Sequence, residues 1–206
     1  MQKDHFAEKS GDWDARPVPS QISTAVGPLL RASLDWHPGM RIMDFGAGTG
    51  LLASHVAPLV AKVVAVDTSP SMLEALAGKE ELRHVVEPRC QDILLEPLGE
   101  RFDAIVSAMA LHHVRDTAGL FGRFREHLKP GGQLALADLD AEDGTFHPPD
   151  TEGVFHHGFD RDELRRKLEA AGFQAVRFQT ALEVTREDGR TYPVFLVTAR
   201  PQPPHA

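Results

Sequence analysis

Apolar and polar positions along this chain fall into helical and strand rhythms that alternate. Spacing over 20–34 is helical, with Gly27-Pro28 expected to bend or interrupt the helix. Arg41-Ile-Met-Asp-Phe45 reads as a short strand running into a glycine loop, followed by a helix over 49–60. The β-branched run 61–67 is a strand. Ser69-Pro70 supplies a capping side chain and a first-turn proline for a helix through Met72, Leu73 and Leu76 that stops near Gly78. A strand over 84–90 contains Pro88, which cannot donate to a ladder and so belongs at a sheet edge. A strand over 102–109 precedes a helix that starts at Asp116 or Thr117, carries Leu120, Phe121, Phe124 and Leu128, and ends at Pro130-Gly131-Gly132. A strand over 133–139 follows. Asp160 opens another helix, with Glu163 three residues on as in a capping box, and Gly172 closes it. Two late strands, 174–183 and 192–199, flank a turn at Asp188-Gly189; too close for a helical crossover, they should form an antiparallel hairpin.

Alternating strands and helices predict an α/β fold, a parallel sheet covered on both faces. The 206 residues and 42% hydrophobic content suit one domain with a real core. That domain is expected over 1–200, with 1–35 as a helical segment or lid, 140–159 as an irregular stretch on the acceptor side, and 201–206 as a loose tail. A net charge of −8 without a Lys/Arg run weighs against a nucleic-acid partner. The single cysteine, Cys90, permits no internal disulfide and reads as a small buried filler among apolar neighbours. The polar start lacks the apolar stretch of a signal peptide, and no segment approaches the roughly 20 apolar residues of a membrane span. These features read as a cytoplasmic protein.

The chemistry gathers at the loop Gly46-Ala47-Gly48-Thr49-Gly50. A dinucleotide fingerprint would need glycine at 51, where this chain has Leu51. Asp44, two residues before the loop, would repel a diphosphate but attract a ligand carrying an ammonium and a sulfonium; its alternative is to cap the loop backbone. Asp67, ending the second strand, can accept both hydrogen bonds of a ribose diol, can cap the next helix, or can do both.

With these residues in place, the chain resembles the class I, Rossmann-like S-adenosylmethionine-dependent methyltransferases over roughly residues 40–139. Met43-Asp-Phe-Gly-Ala-Gly-Thr-Gly50 is similar to the family's first motif and Val64-Ala-Val-Asp-Thr-Ser-Pro-Ser-Met-Leu73 to its second. Gln91-Asp92-Ile93 resembles the adenine-recognition segment. Residues 102–114, ending Leu-His-His-Val, resemble the fourth motif, and Leu128-Lys-Pro-Gly-Gly-Gln-Leu-Ala-Leu136 the fifth. The Leu-His-His-Val ending is similar to that of methyltransferases near quinone biosynthesis and others acting on small molecules. The resemblance implies a three-layer αβα sheet of seven strands, order 3-2-1-4-5-7-6 with strand 7 antiparallel, and S-adenosyl-L-methionine as cofactor. It places Gly46, Ala47, Gly48 and Gly50 against the methionyl and ribose parts, Asp67 on the ribose, and Thr68 and Met72 beside the adenine. Gln91, Asp92 and Ile93 would read the adenine edge, and Ala108 and Met109 would line the methionine end.

Methyl transfer from such a cofactor rests on alignment and exclusion of water, and needs a base only when the nucleophile must lose a proton. Histidines are the candidates, His113 first and His156 second, with His112, His147 and His157 nearby. Glu142, Asp143, His147, His156 and His157 could suggest a metal, but their spacing matches no known metal motif, and no metal is expected. Phe6, Trp13, Phe146, Phe155 and Phe159 would give an apolar acceptor pocket if the N-terminal segment folds over as a lid. The amino-group methylators of nucleic acids carry Asp/Asn-Pro-Pro-aromatic after the fourth strand, where this chain has Ser107-Ala-Met-Ala110, so a small-molecule acceptor is expected. The competing readings are a nicotinamide-dependent oxidoreductase and a non-catalytic cofactor-binding protein.

Overall fold

Aliphatic and β-branched runs become strands whose alternate residues feed two separate cores. The computed structural model describes residues 4–149, 151–186 and 188–203. Its strands are β1 (Arg41–Phe45), β2 (Lys62–Asp67), β3 (Val86–Cys90), β4 (Phe102–Ala108), β5 (Leu128–Leu139), β6 (Phe173–Thr185) and β7 (Thr191–Pro201). The main helices are α1 (Pro17–Ser33), α2 (Leu51–Val56), α3 (Pro70–Ala77), α4 (Thr117–His127) and α5 (Arg161–Ala170). The seven strands form one sheet in the order β3-β2-β1-β4-β5-β7-β6, all parallel except β7, which runs against both its neighbours. Pro88 lies on the edge strand β3, as a residue without an amide hydrogen must.

Side chains that alternate across the strands settle which helices cover which face. Ile42, Val63 and Val106 pack with α1, α2 and α3 through Val26, Leu30, Val56 and Leu76. Met43, Val64 and Ile105 pack with α4 and α5 through Phe121, Phe124, Leu164 and Leu168. The sheet is therefore buried on both sides, and its strand ends provide the open edge. Among the described residues no helix is long and apolar enough to cross a membrane.

Several local expectations give way to packing. Pro28 lies inside α1 without ending it, and the helix begins earlier, at Pro17. The buried stripe Ile22, Val26 and Leu30 holds the helix on the core despite the lost amide. Gly27 serves a contact instead of a break, since a Cβ there would lie 2.3 Å from the His55 ring. Strand β5 starts at Leu128, taking in Pro130-Gly131-Gly132, because Leu128 pairs with Phe102 across a register shift. Pro201 ends β7, and the Gln202 amide donates to Gly172 O at 2.8 Å, so the tail is tied down at least that far; residues 204–206 lie outside the described ones. Cys90 is exposed at the end of the edge strand, contrary to the buried filler expected, because no further strand covers it.

Candidate active site

The carboxyl ends of β1, β2 and β4 open onto a cavity of about 1000 Å³. The loop after β1 turns back by taking Gly46, Gly48 and Gly50 through positive φ, at 66°, 53° and 82°. A Cβ on Gly46 would come within 2.3 Å of Ala110 Cβ, whereas one on Gly48 would meet nothing and would fill open cavity. Asp67 holds the loop in this shape: one carboxylate oxygen accepts from the Gly48 amide at 2.8 Å and the other from the Ser69 amide at 2.9 Å. Each oxygen keeps a free lone pair. Burial raises the Asp67 pKa. The true cap of α3 is Ser69, whose hydroxyl accepts from the Met72 amide.

Asp44 is more unusual. It is 1% exposed, and neither oxygen has a hydrogen-bond partner. Burial, reinforced by the charge of Asp67, pushes its pKa up to about 8. A buried carboxyl without a partner is costly unless a ligand answers it. Capping of the loop backbone, the alternative open to it from sequence, falls to Asp67.

Most residues singled out from the sequence meet at this cavity. Asp44, Gly46, Ala47 and Gly48 form one wall, and Asp67, Thr68, Met72, Gln91 and Asp92 the next. Ala108 and Met109 line it from β4, with Met109 held at φ 57°, a left-handed conformation a methionine rarely adopts. Three of the expected residues stand back. Gly50 caps α2 beneath the loop, and Ile93 is fully buried in the core on the α4 side. His156 does not line the cavity; its Nε2 bonds the Val114 carbonyl at 2.9 Å. Phe159 likewise turns into the core, while Phe6, Trp13, Phe146 and Phe155 reach the cavity.

Three histidine rings cluster at the far wall, with centroids 4.2 to 5.9 Å apart. His113 bonds Gly153 O through Nδ1 at 2.8 Å, and burial followed by the neighbouring His112 lowers its pKa to about 4. His147 is lowered to about 3 by the same two causes. Both are neutral bases at physiological pH. Behind them His112 bonds Asp138 through Nδ1 at 2.7 Å, and its Nε2 lies 3.2 Å from His147 Nε2. Asp138 is fully buried and also accepts from the amides of Leu111, His112 and Leu139. Burial opposes its charge, but His112 and the Leu139 amide hold its pKa below the usual carboxylate range. The file Asp138–His112–His147 carries no signal in the sequence: Asp138 reads as a strand residue, and His147 comes from the irregular stretch. Among the described residues no three His, Cys, Asp or Glu side chains gather as metal ligands would.

The N-terminal segment covers the cavity. Asp4 accepts from the hydroxyls of Ser69 and Ser71 at 2.8 Å each, and Asp14 accepts from Thr49 Oγ1 at 2.5 Å and pairs with Lys79. Phe6 packs edge-on against both Trp13 and His113. The N-terminal segment is thus tied to both the glycine loop and the histidine wall.

Comparison with known proteins places this geometry. A family model described as a methyltransferase domain matches residues 21–177. An uncharacterized methyltransferase of Schizosaccharomyces pombe is 35% identical over 136 residues, covering 58% of this chain and 48% of that protein. A ubiquinone biosynthesis O-methyltransferase of Bradyrhizobium is 36% identical over 109 residues, covering 52% and 43%. The chain spans about half the length of these curated relatives. The solved complex of DhpI with SAH superimposes with a TM-score of 0.75 at 25% identity, covering 97% of this chain and 94% of that one.

Proposed function

The chain belongs to the methyltransferase-domain family, and from that premise we propose that it moves a methyl group from S-adenosylmethionine to a nucleophilic atom of a small molecule. The observation that carries the cofactor half is Asp44, a buried carboxyl with no partner at the mouth of a glycine loop. It suits the ammonium of a methionyl group, and the acids around the loop disfavour a diphosphate. When bound, the cofactor supplies a methyl group already activated by a positive sulfur. Asp67 accepts from the ribose hydroxyls with the lone pairs its backbone bonds leave free. Thr68 and Met72 flank the adenine, while Gln91 and Asp92 read its edge; Ile93, buried behind them, has no role in this reading. Gly48 leaves the room a side chain would take. Ala108 and Met109 set the methionine end.

His113 and His147 are placed to take a proton from the acceptor. His147 has the stronger backing, since its Nε2 meets His112, which Asp138 holds in turn, an arrangement that orients the ring toward a proton. The lid of 4–16 excludes water. His156, outside the cavity, has no role in this reading. Curated relatives named as ubiquinone biosynthesis O-methyltransferases support a small-molecule acceptor. Exposed, unpaired Cys90 supports a reducing, cytoplasmic setting.

Calorimetry with S-adenosylhomocysteine and with a nicotinamide dinucleotide tests the proposal. Asp44, with its pKa near 8, is mostly protonated at pH 7. Binding an ammonium beside it should ionise it, so S-adenosylhomocysteine should bind with proton release at pH 7, and the release should fade by pH 9 and vanish in Asp44→Asn. Affinity should rise with pH through 8. Tight binding of the dinucleotide with none of the nucleoside thioether would defeat the proposal.

A further inference from the structure

The chain carries 30 acidic residues against 22 Lys and Arg, so its cations have a surplus of partners. About half take one among the described residues: Arg41 pairs with Glu100, Lys79 with Asp14, Lys129 with Asp103, Arg161 with Asp140. Three that line the cavity do not. Lys9, Arg115 and Arg186 have no carboxylate partner among the described residues. They come from three separate stretches, the N-terminal cover, the turn after β4 and the end of β6, yet all three line the same cavity. The charge of Lys9 is felt at His113 and that of Arg186 at His147. Arg186 stacks over Phe146 at 5.4 Å, and Arg115 over Phe155 at 4.4 Å. Each guanidinium is thereby held against an aromatic face with its hydrogen-bond donors unspent. Lys9 and Arg186 are partly buried, where a cation without an anion loses hydration for no return unless a ligand restores it. The cavity's nearby acids are committed: Asp12 pairs with Arg16, and Asp116 caps α4 through the Gly119 amide.

Building on the methyltransferase reading, we propose that the methyl acceptor is a small organic acid with a flat apolar body, its anionic group seated among Lys9, Arg115 and Arg186. The apolar lining of the cavity, Phe6, Trp13 and Val114 among it, takes the body, and the cations take the oxyanion. Arg115, exposed at the mouth, steers the acid in. Histidines kept neutral beside this group can accept a proton from a second, nucleophilic position on the same molecule.

The test is calorimetry on the full chain saturated with S-adenosylhomocysteine, titrated with benzoate, phenyl phosphate and benzamide. At least one anion should bind roughly tenfold or more tightly than the neutral amide. The tighter of the two anions tells a carboxylate from a phosphate. Lys9→Gln and Arg186→Gln should each shrink that preference severalfold without changing affinity for S-adenosylhomocysteine, which also certifies their fold. Arg166→Gln, on the exposed face of α5, should leave it intact. Benzamide binding as well as both anions, or a preference that survives the Lys9→Gln/Arg186→Gln double variant, would overturn the proposal. Failure of S-adenosylhomocysteine to bind would sink the methyltransferase reading beneath it; nucleoside binding without acid preference overturns only the acceptor class.

Discussion

The two halves of the cavity are built by different means and carry opposite charge. The half proposed for the cofactor comes from residues adjacent in sequence at the carboxyl ends of neighbouring strands, Asp44 to Gly48 at β1 and Asp67 to Met72 at β2, and its ionisable groups are carboxyls. The half proposed for the acceptor is collected from the N-terminal cover, the turn after β4, the stretch around Phe146 and the end of β6, and its polar groups are mainly cations and neutral imidazoles. Backbone geometry dictates the first half: a strand must end, a glycine loop must turn, and an acid must hold the loop amides. The second half is free to vary because loops bear it while the sheet stays fixed. If the contrast is real, damage to each half should be seen in a different measurement.

The sharpest separation should come from His147→Ala. Losing a positioned base slows a proton-dependent step by roughly a hundredfold or more. The expected outcome is that loss in single-turnover transfer of label from methyl-labelled cofactor to an acceptor pool, with affinity for S-adenosylhomocysteine within about twofold of the parent. His113→Ala should slow transfer less, because Gly153 O alone backs that ring. If His113→Ala proves the slower enzyme, the proton leaves through His113 and the buried file only positions the wall. If either change abolishes nucleoside binding, the halves are not separate.

Asp67→Ala should give the converse pattern. It removes the acceptor of the Gly48 and Ser69 amides as well as any bond to a ribose. Each lost hydrogen bond to a charged group is worth about 1.5–3 kcal/mol, so nucleoside affinity should fall by more than tenfold. Asp67→Asn, which can still accept at one oxygen, should lose less. Unchanged affinity in Asp67→Ala would remove that residue from the site.

The same contrast governs which parts of the molecule are legible in its sequence. The edge position of Pro88 and the antiparallel hairpin follow from local rules, namely proline chemistry and connection length, whereas the order of strands is implied only by the family resemblance. The acid half is legible because its residues lie within a few positions of one another. Where expectation fails, a distant contact overrides a local signal. Pro28 stays in α1 because its buried stripe is anchored, and Lys129 to Gly132 join β5 because Phe102 offers Leu128 a partner. His156 is a stronger candidate than His147 in sequence but not in the fold: both sit in a stretch without period, and only the fold decides which faces inward. Lys9 and Arg186, 177 positions apart in numbering, carry no signal in sequence that they share a wall.

The smallest effect should come where the halves are stitched together. Asp4 accepts from Ser69 Oγ, Ser71 Oγ and the Ser71 amide, so it ties the acceptor-side cover to the first turn of α3. It also adds a like charge that raises the Asp67 pKa. Asp4→Ala therefore loosens the cover while relieving repulsion at the ribose acceptor, and the two act oppositely on cofactor affinity. Ser69 keeps its bond to the Met72 amide, so α3 retains its cap. The net change in S-adenosylhomocysteine affinity should stay within about threefold, since each exchanged hydrogen bond is worth only about 1 kcal/mol. Proteolysis within 4–16 should quicken by about fivefold, as expected when a segment opens more often. A tenfold loss of nucleoside affinity with no change in cleavage would mean that Asp4 belongs to the cofactor half, and that the cover is held by Asp14 and Thr49 alone.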